Sequence, residues 1–128
     1  MPVCNDESPL GIFNMVGKYA IPQGADWSIG IVYKQADVPV DFSGATALMQ
    51  IRKDYDQDII LELSTTDGSI TLGTGAGNTP NVILNFKHMA TSNMSNYYGI
   101  YDLEVTTPSG TVYKFLEGKF ELRREITK

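Results

Sequence analysis

Closely spaced turn-forming clusters constrain the fold of this 128-residue chain more than any other feature of its sequence. The runs between them are short and rich in Val, Ile, Tyr, Phe and Thr. Turn signals that recur at intervals of about 8–12 residues are typical of β-sandwiches and β-barrels. We therefore predict an all-β fold. The clusters that act as turns occupy positions 21–26, 35–44, 53–58, 65–69, 73–81 and 106–111.

Alternation of apolar and polar residues places six or seven strands between these turns. It is clearest in the segments 27–34, 45–53 and 81–87, as expected for strands that bury one face. The shorter runs 59–63 and 69–72 supply two more strands. The last two strands lie in the aromatic-rich region that follows.

Two connections between these strands are also predictable. The polar segment 53–58 joins the strands on either side of it in a hairpin. The segment 87–96 contains weak strand formers. We predict one short helical turn there, which crosses from one sheet to the other.

Chain length bounds the domain organisation. A chain of this size forms one domain around a single core, and no internal repeat is visible. We assign residues 24–128 to the β-sandwich domain and residues 1–23 to an N-terminal arm or first strand, with a strand at about 12–21. Assembly proteins often lend such an extended arm to a neighbouring molecule.

Charge and cysteine content exclude several classes of partner. The net charge is -5 and the pI is about 4.7, whereas binding to a phosphate backbone needs clustered Lys and Arg. We therefore expect no nucleic-acid partner. No apolar run approaches the ~20 residues of a membrane span and no signal segment opens the sequence, so we expect a soluble protein with no membrane partner. Cys4 is the only cysteine, which excludes an intrachain disulfide and a thiolate zinc cluster.

Reactive side chains are too few to predict an enzyme. His88 is the only histidine, and the sequence has no G-x-S-x-G nucleophile motif. Asp102 and Glu104 share one face of an alternating strand, and paired carboxylates can act in acid–base catalysis. A solvated sheet face explains them better, with Lys114 or Lys119 as partners across the hairpin. We predict no enzyme, no catalytic residue and no cofactor.

Three alternating aspartates in the hairpin segment invite a calcium interpretation. Asp54, Asp56 and Asp58 resemble the start of an EF-hand loop. Such a loop requires Gly at its sixth position and Glu at its twelfth, where this chain has Ile59 and Thr65. We interpret the segment as a charged hairpin tip and predict no metal site.

Aromatic residues are concentrated between positions 96 and 122. Tyr101 lies on the apolar face of its strand and is predicted to be buried. Tyr113 and Phe115 are predicted to face the same interior from the partner strand. The aromatic density is thus interpreted mainly as core.

The final strand contains a change of parity. Tyr113 and Phe115 have one parity along it, whereas Phe120 and Leu122 have the other. A glycine bulge near Glu117–Gly118 would bring all four side chains to one face. We predict a bulge at that point.

Three tyrosines remain as candidate interaction residues. Tyr97 and Tyr98 stand at the start of a strand, and Tyr55 lies in the hairpin segment beside Asp54 and Asp56. Aromatic residues are enriched at recognition surfaces. These three tyrosines are the predicted interaction site.

Several short motifs follow one another in a specific order. Over residues 24–127 the pattern resembles a widespread group of small tailed-bacteriophage virion proteins. Its layout is similar to that of the N-terminal domain of phage baseplate upper proteins, which carries receptor-binding proteins on a tail. The motifs are PVDFSG at 39–44, ALMQIR at 47–52, YDLEV at 101–105, LEGKF at 116–120 and the pair IT at 126–127.

The resemblance implies an immunoglobulin-like β-sandwich of about seven strands with an extended N-terminal arm. The group usually has a G-x-Y-x-Y-D-L run, and here Tyr98 is displaced by one place from the first tyrosine of that run. This displacement leaves open whether Tyr98 forms a tyrosine-corner hydrogen bond. Within PVDFSG, we expect Asp41 or Ser43 to bond nearby backbone amides while Phe42 packs inward.

From the resemblance we expect a non-enzymatic structural virion protein of a tailed bacteriophage, which docks in the tail, baseplate or neck and connects neighbouring components. Its expected partners are other virion structural proteins, in a homo-oligomeric or multi-copy arrangement, after assembly in the host cytoplasm. Edge strands and the N-terminal arm would make the contacts. Two alternatives are a capsid decoration protein and a carbohydrate- or receptor-binding module that uses Tyr55, Tyr97 and Tyr98.

Overall fold

A computed structural model describes residues 3–5, 11–92, 94–95 and 97–124 of the chain. The predicted all-β fold is confirmed, since two sheets pack face to face as a sandwich in this part of the molecule. One helical turn, α1 (His88–Thr91), and 3₁₀ turns at Gly17–Tyr19 and Ala76–Asn78 complete the described elements. The strands are β1 (Val3–Asn5), β2 (Gly11–Ile12), β3 (Ile21–Pro22), β4 (Trp27–Gln35), β5 (Val38–Pro39), β6 (Thr46–Arg52), β7 (Ile59–Ser64), β8 (Ile70–Leu72), β9 (Val82–Phe86), β10 (Tyr98–Thr106) and β11 (Val112–Arg123).

The strand order is that of an immunoglobulin-like sandwich. The first sheet runs β1–β4–β9–β8, with β5 beside β4. The second sheet runs β2–β11–β10–β6–β7, with β3 also paired to β11. In immunoglobulin lettering these orders are A-B-E-D and A′-G-F-C-C′. The predicted fold class is therefore confirmed, and the strands beyond the predicted set are pieces of two or three residues, namely β1, β2, β3 and β5.

The hydrophobic core lies between the sheets and follows the two-residue period of the strands. Inward positions of β6 and β10 are buried, whereas the residues between them reach the solvent. The predicted burial of Tyr101 is confirmed. Burying one large apolar side chain contributes about 1.5–3 kcal/mol. The buried hydrophobic residues of β4, β6, β9 and β10 are Ile29, Ile31, Val32, Tyr33, Ala47, Met49, Ile51, Val82, Leu84, Phe86, Tyr101, Leu103 and Val105.

The N-terminal segment 11–23 pairs with the sandwich of its own chain. It runs parallel to β11, with the N–H of Phe13 donating to the carbonyl of Glu117 at 2.9 Å. The N–H of Met15 donates to the carbonyl of Lys119 at 2.8 Å. This part of the predicted arm therefore closes the edge of the second sheet.

The same segment does not form the single strand predicted at about 12–21. It contains β2 and β3 with the 3₁₀ turn Gly17–Tyr19 between them. Gly17 has a φ of 60°, a left-handed conformation that interrupts an extended strand. Met15 and Ile21, on either side of this turn, are fully buried, so the segment contributes to the core although it is not one continuous strand.

Gly118 permits the close approach of the N-terminal segment. A Cβ atom at this position would lie 2.1 Å from the carbonyl oxygen of Phe13, inside van der Waals contact. That carbonyl accepts a hydrogen bond from the Tyr101 hydroxyl. The side-chain oxygen of Asn14 replaces it in the ladder by accepting the N–H of Lys119 at 2.9 Å. Side chains of two residues therefore complete the pairing where the backbone turns away.

A β-bulge interrupts β11, as predicted. Its register on β10 shifts at Phe115, which is the extra residue and lies two positions before Glu117. Glu117 and Gly118 themselves pair regularly with β10. The absence of a side chain at Gly118 makes room for the N-terminal segment. The burial predicted for the side chains of Tyr113 and Phe115 lies outside the described part of the chain.

The predicted helical crossing between the sheets is confirmed. α1 follows β9 of the first sheet and precedes β10 of the second. The side chain of Asp26 accepts the N–H of His88 at 2.9 Å. The buried Thr91 accepts the N–H of Gly24 at 3.0 Å through its hydroxyl. Residues just before β4 therefore hold the crossing in place.

Two connections between the sheets use the same Asp-x-Ser turn. Asp41 accepts the N–H of Ser43 at 2.8 Å while Phe42 is buried, so the predicted local structure of this turn is confirmed. Asp67 accepts the N–H of Ser69 at 2.9 Å in the turn from β7 to β8. Hydrogen bonds from the hydroxyl and N–H of each serine lower the pKa of the corresponding aspartate.

Asn81 is a buried polar anchor of the first sheet. Its side-chain oxygen accepts the N–H of Tyr33 at 2.8 Å. Its Nδ2 donates to the carbonyls of Tyr33 and Val40, at 2.9 and 2.7 Å. The carboxamide imitates a peptide group and so continues the pairing of β4 where the chain bends away.

Candidate interaction face

His88, the only histidine of the sequence, lies on the surface of the crossing. His88 Nδ1 lies 2.9 Å from Asp26 Oδ1. The backbone N–H of His88, and then its side chain, lower the pKa of Asp26 by hydrogen bonding. Within the described residues, no three His, Cys, Asp or Glu side chains are close enough together to hold a metal ion. The pair ties α1 to the start of β4.

The acidic face of β10 is paired with β11, as predicted. Lys114 Nζ lies 2.9 Å from Asp102 Oδ2, and Glu104 stands opposite Lys114 in the register. The hydrogen bond that Lys114 donates to Asp102, followed by the negative charges of Asp102 and Glu104, raises the pKa of Lys114. The predicted salt bridge across the hairpin is therefore confirmed for Lys114.

These charges line a shallow groove on the outer side of β6, β10 and β11. The groove has a volume of about 630 Å³ and is open to solvent. We call it the sheet-two groove. The residues that line it are Asn14, Gln50, Arg52, Tyr55, Asp56, Ile100, Tyr101, Asp102, Lys114, Glu117, Gly118 and Lys119.

Hydrogen bonds hold the β6 side of the groove in one arrangement. Gln50 Nε2 donates to Glu62 Oε2 at 3.0 Å, and Arg52 Nη2 donates to Gln50 Oε1 at 3.2 Å. Arg52 Nη1 also donates to the carbonyl of Gln57 in the hairpin at 2.6 Å. These groups are therefore oriented before any partner arrives, which lowers the entropic cost of binding.

Tyr55 stands at one end of the sheet-two groove. The predicted hairpin is confirmed by the antiparallel pairing of β6 with β7. The N–H of Tyr55 bonds to the Asp54 side chain at 2.8 Å, and Asp56 adopts a positive φ of 59°. This tight tip leaves 76% of Tyr55 exposed. The aromatic ring is displayed by a turn with a defined conformation.

Tyr98 and Tyr97 have different surroundings although they are adjacent in sequence. Tyr98 begins β10 two residues before the groove residue Ile100, on the same outward parity, and is 69% exposed. Tyr97 is half-buried against the core, and the Arg124 guanidinium lies 4.8 Å from its ring centroid. With Tyr98 exposed, it is Tyr101 whose hydroxyl bonds to the backbone of the N-terminal segment.

The predicted interaction residues are thus only partly brought together. Tyr55 lines the groove, Tyr98 extends its face, and Tyr97 packs against the core. Sequence reasoning missed Arg52 and Gln50, although their parity on β6 is opposite to that of the buried residues. Their outward position on the strand is the sequence feature that could have identified them.

The sheet-two groove carries a balanced mixture of charges. Three acidic and three basic side chains line it, in contrast to the net charge of -5 of the whole chain. A groove for a nucleic-acid backbone would be uniformly basic. Interspersed charges beside exposed tyrosines are typical of surfaces that recognise another protein in one orientation. The charged residues are Arg52, Asp56, Asp102, Lys114, Glu117 and Lys119.

No protein-family model and no curated protein sequence matches the chain. Among the described residues, no helix has the length and apolar character needed to cross a membrane.

Proposed function

We propose that this protein is a non-catalytic structural component of a tailed-bacteriophage virion, which docks in the tail, baseplate or neck through the sheet-two groove and connects neighbouring components. The observation that carries the proposal is the groove itself. It combines an oriented Arg52–Gln50 pair, mixed charges and the exposed ring of Tyr55 at the hairpin tip. Tyr and Arg are the residues that most often dominate the binding energy of protein interfaces.

The sequence motifs support the same conclusion. ALMQIR lies in β6, YDLEV lies in β10 and LEGKF lies in β11. The motifs that resemble those of small phage virion proteins therefore build the three strands beneath the groove. A fold shared with that group would retain the same surface for assembly.

The experiment that tests docking compares virions reconstituted with variant chains. Replacing Tyr55 and Tyr98 together by Ala removes the two exposed rings without touching the core. We expect the amount of this protein in purified particles to fall by about tenfold or more, since interface aromatics often contribute over 1 kcal/mol each. Met89→Ala is the matched control, because Met89 is equally exposed on α1 away from the groove.

If the double variant enters particles as well as the wild type while both remain folded, the groove is not the docking surface. If the wild-type chain itself is absent from purified particles, the virion role is wrong.

A capsid decoration protein is the alternative within the same class. Copy number separates the two positions, because particle symmetry gives about six or twelve copies in a tail or neck and on the order of hundreds on a head lattice. Quantitative mass spectrometry of purified particles measures this number. We expect the lower value.

A further inference from the structure

The only tryptophan of the chain lies on the opposite side of the sandwich from the sheet-two groove. Trp27 begins β4 of the first sheet and is 41% exposed, unlike the buried aromatic residues of the core. Beside it is an open groove of about 510 Å³, which we call the Trp27 groove. The residues on which the argument depends are Lys18, Tyr19, Trp27, Ser28, Gly30 and Pro80.

Aromatic and small residues give the Trp27 groove its shape. Gly30 has no side chain, and a Cβ there would lie 3.0 Å from the Pro80 ring, so the glycine creates a notch. Tyr19 forms one wall and packs edge-on against Phe13, with ring centroids 5.2 Å apart. Trp27 also lines the groove and is 41% exposed. A flat ring can therefore lie against the ring of Tyr19, which its contact with Phe13 holds in place.

A few polar groups are available around these walls. Lys18 Nζ lies 5.1 Å from the ring centroid of Tyr19, and it forms no ion pair with any described residue. Lys18 is also the only charged residue that lines the groove in the described part of the chain. The Ser28 hydroxyl donates to Asn85 at 2.6 Å, which leaves its oxygen able to accept a hydrogen bond.

We propose that the Trp27 groove binds a saccharide that carries an acidic substituent. The apolar C–H face of a pyranose ring packs on an indole or phenol ring, and the Ser28 hydroxyl pairs with a sugar hydroxyl. The ammonium of Lys18 pairs with the acidic group, as a compact and mobile cation does. A single cation in the groove of a chain with a net charge of -5 favours an anionic ligand over a neutral one.

The size of the Trp27 groove suits a small ligand. Small-molecule sites have volumes of about 300–1,000 Å³, and this groove has about 510 Å³. The site is independent of the proposed virion role, because it uses none of the residues of the sheet-two groove.

The test uses the fluorescence of the single tryptophan in the full-length protein. Trigalacturonic acid is titrated against the protein, and its fully methyl-esterified form serves as the neutral counterpart with the same rings. We expect a saturable change in Trp27 emission with the acid and at least about tenfold weaker binding of the ester, as expected for the loss of one charge pair.

Calorimetry of variants assigns the contacts. Trp27→Ala is expected to abolish binding, and Lys18→Gln is expected to make the acid and the ester bind equally. Trp27→Phe keeps a ring and is expected to weaken binding severalfold, which preserves the test if the alanine variant does not fold. Tyr55→Ala, on the other sheet, is the matched control and should bind as the wild type does.

Three results would overturn the saccharide proposal. They are no saturable change with either ligand, equal binding of acid and ester by the wild type, and full affinity in the folded Trp27 variants. None of them bears on docking through the sheet-two groove, which is tested by incorporation into particles.

Discussion

The two sheets of this sandwich differ most on their outer sides. The second sheet presents a groove of mixed charges in which Arg52, Gln50 and Glu62 are already hydrogen-bonded to one another. The Trp27 groove is lined by aromatic residues, Trp27 of the first sheet and Tyr19 of the N-terminal segment, with one charged residue, Lys18, in the described chain. One surface suits a protein partner, whereas the other suits a small ligand.

The interiors of the two sheets are alike, because in each of them side chains take the place of missing backbone hydrogen-bond partners. In the first sheet the Asn81 carboxamide replaces a missing backbone partner. In the second sheet Asn14 and Tyr101 do so where the N-terminal segment passes over Gly118. Stability therefore depends on the buried anchors, whereas the outer faces are free to differ. Substitutions at the anchors can be compared with substitutions on the outer faces.

The largest effect is expected at the anchor of the first sheet. Asn81→Ala removes three hydrogen bonds, including the one that the buried N–H of Tyr33 donates to the carboxamide. We expect the free energy of unfolding to fall by about 3–5 kcal/mol, measured by urea denaturation. Asn85→Ala is the control, since the side chain of Asn85 bonds to Ser28 at the surface. An equal loss in both variants would show that Asn81 is not an anchor.

The anchor of the second sheet should be the next most sensitive. Gly118→Ala introduces a Cβ 2.1 Å from the Phe13 carbonyl and forces the N-terminal segment away. We expect a loss of about 2–3 kcal/mol, with faster hydrogen exchange at the N–H of Met15. Gly30→Ala, which meets only the Pro80 ring at 3.0 Å, is the milder control. Unchanged exchange at Met15 would contradict this explanation of the glycine.

Removing only the hydroxyl of Tyr101 from the same anchor is expected to have a smaller effect on stability. Tyr101→Phe keeps the buried ring but removes the hydrogen bond to the Phe13 carbonyl. The expected loss of unfolding free energy is about 1 kcal/mol, from thermal or urea unfolding. Tyr98→Phe removes a hydroxyl from an exposed ring and should have no measurable effect. Similar values for the two variants would mean that the Tyr101 bond adds nothing to stability.

The smallest effect concerns the turns that connect the two sheets. The pKa values of Asp41 and Asp67 lie below the ordinary value of 3.8 in the folded chain, because serine hydroxyl and N–H groups bond to their carboxylates. Their contribution to stability is therefore present above the unfolded pKa and is lost as the pH falls through the folded pKa. In the double variant Asp41→Asn, Asp67→Asn, melting temperature should depend less on pH below about pH 4. Identical acid profiles for variant and wild type would contradict the assignment.

Much of the arrangement of strands and connections could be predicted from the sequence, because the patterns that indicate it lie within short segments. The alternation of residues 45–53 predicted which side of β6 is buried, and the polar segment 53–58 predicted the hairpin. The weak strand formers near His88 predicted the crossing. Each of these features depends on neighbours within about ten residues, so the pattern alone contains the information.

Other features depend on residues that are distant in sequence. Gly118 appeared to mark a bulge, but its steric requirement comes from Phe13 at the other end of the chain. Asn81 has the parity of a surface residue, and only the fold reveals its bonds to β4. Tyr97 and Tyr98 were indistinguishable until the packing of Tyr97 against the core was known. Nothing in a local pattern specifies such long-range contacts.

A cryo-EM map of the intact phage particle would show whether the sheet-two groove docks onto a neighbouring virion protein. We expect density for this sandwich in the tail, baseplate or neck, with a neighbouring protein over β6, β10 and β11 and with Tyr55 buried in the contact. A particle without this protein, or one in which the groove faces open solvent, would rule out docking through the groove.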